Sequence, residues 1–133
     1  MELKLAVICE AARERPDGRI DIIGVFDELH APAFPAVQER MTVVFVMEWS
    51  VAETGSQPFR ANLVHASGRK ILGLEGHTMV HPPGAGRAIT RLVQPLEKVV
   101  FPAAGDYHFE LVAGGDVVEV AGLRLTEADT GEQ

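Results

Sequence analysis

Five histidines, three serines and one cysteine are the side chains of this 133-residue chain that chemistry would draw on first. His77 and His81 stand four apart in "HTMVH". On a strand that spacing puts both on one face, about 13 Å apart along the chain. A shared zinc or iron ion would need a bend between them, with Glu75 as a neighbouring acid. His30, His65 and His108 show no acidic or histidine neighbour at a recognised ligand spacing. The five read as surface or rim histidines, and no metal or other cofactor is expected.

The remaining groups are no better gathered. Ser50, Ser56 and Ser67 all lie near turn signals, and none has the G-x-S-x-G setting of a nucleophile elbow. Cys9 falls in an apolar row, where a thiol is an inert small hydrophobe. Asp27 and Glu28 are consecutive, so on a strand they point to opposite faces and cannot work as an acid/base pair. Asp106 and Asp116 adjoin glycines and bracket a single strand, which places them at opposite ends of it and makes a poor calcium site. "GAG" at 84–86 lacks the remaining glycine spacing, the lysine and the helix of a phosphate loop. A catalytic set is therefore not expected. A small-ligand lip, for example for a carbohydrate, would use Trp49, Tyr107, His77, His81 or the loop 81–87.

Bulk composition narrows the classes further. Nineteen acidic against twelve basic residues leave a formal charge of −7, which repels phosphate backbones and argues against nucleic acid. One cysteine excludes an internal disulfide and a cysteine-based zinc site. No apolar run approaches the roughly 20 residues of a membrane helix. The opening "MELKLAVICEAARERP" lacks a basic leader, so a cytoplasmic protein without a membrane partner is expected.

The elements that must position these residues alternate with a period of two. In "LKLAVICEA", Leu3, Leu5, Val7 and Cys9 share a face, opposite Ala6 and Ile8. "RPDG" turns the chain, and "RIDIIGVFDELH" at 19–30 follows as a run with a change of parity beside Gly24. "APAFPAVQE" at 31–39 carries two prolines and reads as a crossover whose Phe34 packs back on the body. "RMTVVFVMEWS" gives an inward row of Met41, Val43, Phe45, Met47 and Trp49. "FRANLVHA" sets Phe59, Ala61, Leu63 and His65 on one side, and "ILGLEGHTMV" is a further strand. "HPPGAGR" is the most flexible-looking stretch, and Pro95 forces a break or an edge position in the run after it. Last, "GDYHFELVAGGDVVEVAGLRL" folds about Gly-Gly-Asp into a hairpin with a bulge at Ala121-Gly122.

These short strands predict a mainly β fold: an antiparallel β-sandwich, Greek-key/immunoglobulin-like or jelly-roll-like, of about seven to nine strands. Residues 1–125 form its single domain and 126–133 a polar tail. "CEAARER" and "PAVQER" are the best helical candidates, and both are short. Several outward rows are apolar: Ala6 and Ile8, Val44 and Val46, Val64, and Val112. Either loops cover them or a second copy does, and burying ~500 Å² of apolar surface in a dimer is worth roughly 12 kcal/mol before association costs.

"MELKLAVICEAA", "RIDIIGVFDELHAPAFPA" and "FPAAGDYHFELVAGG…LRL" together resemble a family of small bacterial proteins catalogued as a domain of unknown function. The resemblance spans nearly the whole chain and is weakest from Val51 to Arg87. It implies a stand-alone bacterial domain and carries over no activity, cofactor or catalytic residue. The expected function is thus a non-enzymatic interaction module acting through protein–protein contacts, homodimeric or with another protein. A small-ligand module stands second, and a histidine-dependent metalloprotein third.

Overall fold

The computed structural model describes residues 1–81 and 87–128, so positions 82–86 of the Gly/Pro loop and the tail after 128 lie outside the described residues. Alternation resolves into nine strands: β1 (Glu2–Glu14), β2 (Ile20–Val25), β3 (Glu28–Ala31), β4 (Ala36–Trp49), β5 (Gly55–His65), β6 (Lys70–Val80), β7 (Ala88–Phe101), β8 (Gly105–Ala113) and β9 (Asp116–Glu127). A single 3₁₀ turn, Val51–Glu53, is the only helical element among the described residues. "CEAARER" and "PAVQER" are both largely in strands.

Two sheets face each other, with order β2-β1-β4-β7 in one and β3-β9-β8-β5-β6 in the other. The sandwich core lies between them. Met41, Val43, Phe45, Met47 and Trp49 of β4 meet Ala61 and Leu63 of β5 and Tyr107, Phe109 and Leu111 of β8. All ladders are antiparallel except β3 on β9, which runs parallel from Glu28↔Arg124 to Ala31↔Glu127. Phe34 packs on the core, as its place in the crossover predicts. β7 is an edge strand, which is what Pro95 requires. Ala121 takes φ 55° where β9 bulges against Tyr107 and Phe109, as expected of the closing hairpin.

Three readings of the sequence need correction. The run 19–30 is two strands in different sheets, because Gly24 at φ 69° ends regular β2 geometry and Phe26-Asp27 carry the chain across. The crossover is shorter than 31–39, since Ala36–Glu39 already pair in β4; Pro35 only precedes that strand. A bulge between Leu3 and Leu5 reverses the parity of β1, so Ala6 and Ile8 face the core and Leu5, Val7 and Cys9 the other side.

That other side is nevertheless dry in places. Val44 and Cys9 are 0% exposed although neither belongs to the sandwich core. The β1–β2 hairpin accounts for it. A Cβ placed on Gly18, at the hairpin tip, would lie 3.8 Å from the guanidinium carbon of Arg91. Arg91 sits opposite Val46, and Val46 opposite Leu5. A straight β1 would carry Gly18 roughly 40 Å beyond that row. The hairpin instead folds back over the outward face of β4 and β7 and makes a third, partial layer.

Candidate functional site

Trp49 and Tyr107 are core residues, 4% and 1% exposed, which overturns their place on a ligand lip. The Trp49 indole N–H donates to Thr90 Oγ1 at 2.9 Å. The Tyr107 hydroxyl donates to the Ala103 carbonyl at 2.5 Å, and its ring stands edge-on to Phe101 with centroids 5.1 Å apart. A tyrosine near the start of a strand bonding back to backbone a few residues upstream is the tyrosine corner of β-sandwiches. Burial pushes its phenol pKa up. Tyr107→Phe should therefore cost about 0.5–1.5 kcal/mol in urea unfolding, because it removes a part-buried hydrogen bond to the Ala103 carbonyl; an unchanged midpoint would show that the corner contributes nothing.

The histidines separate. His77 is exposed on β6 and lines an open groove of about 490 Å³ with Glu75, Arg60 and Glu53, while His81 is exposed just past the strand end. Among the described residues, neither belongs to a group of three or more converging metal-ligating side chains. Glu53 in that groove is already committed: the Ser50 backbone N–H and the Met1 amino group donate to it and hold its carboxyl below the usual range. His65 locks a turn, with Nδ1 2.9 Å from Ser67 Oγ and Nε2 2.9 Å from the Ala104 carbonyl. His30 Nδ1 meets Thr126 Oγ1 across the parallel ladder. Cys9 points its thiol at the Thr42 carbonyl, and burial pushes its pKa up, away from the reactive thiolate.

His108 is the histidine whose surroundings the sequence concealed. It shares a face of β8 with Glu110, and the hairpin pairs Glu110 directly with Glu119 of β9. His108 Nε2 stands 3.6 Å from Glu110 Oε2 and 3.4 Å from Glu119 Oε1. That nitrogen is shut off from solvent and has no hydrogen-bond partner. Folding the chain about Gly114-Gly115 is the signal that would have found the trio, since it sets 110 against 119.

The outer strands offer a different kind of site. β7 is interrupted by Pro95 and by Lys98 at φ 53°, β3 is four residues long, and β6 carries Gly73, Gly76, Lys70 and Glu75. Such devices blunt a sheet edge against pairing. β2 has no proline or lysine, and its one glycine, Gly24, comes only at its end. Ile20, Ile22, Ile23 and Val25 fill it, with Ile23 and Val25 each 62% exposed. Its one charge, Asp21, is taken up by its own hairpin: Arg15 donates at 2.7 Å and Arg13 at 3.3 Å, which holds the carboxyl below its usual range.

A two-sheet β-sandwich with a folded-back hairpin, an open apolar edge and no assembled nucleophile among the described residues is the class these observations define. The chain belongs to the Family of unknown function (DUF6941), which it matches over residues 4–126. The match includes the segment 51–87, where the sequence resemblance is weakest. No curated protein matches the chain. No helix among the described residues is long and apolar enough to cross a membrane.

Proposed function

We propose that the protein is a non-enzymatic interaction module that self-associates through the free edge of β2. The unprotected row Ile20–Val25, with two large aliphatic side chains in solvent, carries this reading. Edge pairing supplies main-chain hydrogen bonds, and alternate side chains supply the apolar contact. Two β2 strands side by side would be related by a two-fold axis, the commonest symmetry of soluble oligomers. The hairpin also suits self-contact electrostatically, because Arg13, Arg15 and Arg19 nearly balance Glu10, Glu14, Asp17 and Asp21 there while the chain as a whole carries −7. The burial of Trp49 and Tyr107 takes both aromatic side chains out of a carbohydrate site. A cytoplasmic setting without nucleic-acid partners accords with the acidic surface.

Light scattering after size exclusion is expected to give twice the 14.4 kDa of one chain. Ile23→Glu combined with Val25→Lys should return the single-chain mass while circular dichroism stays unchanged. A wild-type protein that remains a single chain at high concentration defeats the proposal, as does a double variant that still pairs.

A further inference from the structure

We infer that His108, Glu110 and Glu119 form a site for one divalent first-row cation of the zinc class, separate from the β2 edge. Two carboxylates placed directly opposite each other on neighbouring strands repel, and such a pair is destabilising unless something positive lies between. The His108 imidazole lies close to both, and its Nε2 is hidden from water and makes a hydrogen bond to neither. With the imidazole neutral and its proton on Nδ1, the Nε2 lone pair faces two carboxylate oxygens, which is a ligand arrangement.

The spacings agree with coordination. Zinc holds nitrogen and oxygen at about 2.0–2.2 Å, so tetrahedral ligand atoms lie about 3.3–3.5 Å from one another. The observed 3.4 and 3.6 Å match this, and all three ligand atoms fall within 4.8 Å of each other. Glu119 is the exposed member, so a change of its rotamer closes the set. One imidazole with two carboxylates selects against calcium, which takes six to eight oxygens, and favours the zinc–manganese class. Three protein ligands leave a fourth position for water. β8 supplies two ligands at i and i+2, and the antiparallel partner supplies the third, so the ladder itself sets the geometry.

Isothermal titration of tag-free protein with zinc chloride tests this. The expected result is one ion per chain, with affinity reduced at least about tenfold in His108→Ala and in Glu119→Gln, and unchanged in His77→Ala. Cobalt(II) in place of zinc should give visible absorption that Glu119→Gln alters. Glu119 is solvent-facing, so its variant keeps the fold and remains informative if His108→Ala unfolds. Absence of binding by the wild type overturns the inference. Binding that survives both substitutions, or that His77→Ala alone removes, overturns it equally.

Discussion

Phe109→Ala is expected to lower the stability of the protein by about 3–5 kcal/mol, the range for deleting a buried aromatic ring. Phe109 is fully buried on β8 and meets Phe45 of β4 edge-to-face, with centroids 5.8 Å apart and planes at 85°. These rings come from opposite sheets, so their contact spans the sandwich and adds a geometric term to simple area burial. The loss comprises the transfer free energy of the ring and the cavity left where two sheets cannot close together. Domains of this size are stable by only about 5–15 kcal/mol, so the variant should sit near the edge of folding at 37 °C. The urea midpoint should fall with little change in slope, which identifies a loss of stability rather than a change in the unfolded chain. A shift below about 1 kcal/mol would mean that the sheets do not rely on this contact.

Val44→Asp should be nearly as damaging, at about 3–5 kcal/mol, for a different reason. Val44 lies outside the sandwich core yet is fully buried, with the β1–β2 hairpin folded over its side of β4. A carboxylate there has no partner, and an uncompensated buried charge costs several kcal/mol. The hairpin can relieve it by lifting off. Trypsin should then cut faster after Arg13 and Arg19, and amide exchange in 10–25 should accelerate before the rest of the molecule opens. Val44→Thr, of similar volume, separates charge from packing and should be much milder. If the aspartate variant is as stable as wild type and its hairpin no more cleavable, Val44 is not covered in the way described.

Alternation made the sandwich legible where a strand keeps its period across its buried stretch: Met41, Val43, Phe45 and Met47 face inward as the sequence predicts. What failed were places where one residue changes parity. The bulge at Leu3/Leu5 moved Ala6 and Ile8 from the outward to the inward row, and no side chain there announces it. Nor does composition show that β2 and β3 belong to different sheets, since Gly24 is compatible with a bulge or a break. Val44 was visible as an outward apolar residue, but that the chain's own β1–β2 hairpin covers it was not, because strand pairing alone does not reveal a hairpin bending back. Trp49 and Tyr107 were misplaced because an aromatic with a polar tip suits either a lip or a core with a partner, and Thr90 and the Ala103 carbonyl supply that partner. The trio around His108 was missed by counting ligand spacings along the chain when the third ligand comes across the hairpin.

The parallel ladder of β3 on β9 has a consequence for how the chain is made. His30 meets Thr126 across 96 positions, and Leu29 pairs with Leu125. Strand 28–31 therefore has no ladder to join until residues 124–127 have left the ribosome. The earlier strands must wait, partly zipped, with apolar rows uncovered during synthesis. Long-range pairing of this kind slows folding and lengthens exposure to aggregation. Nascent chains stalled before position 124 should be held by chaperones, and those released after it should not.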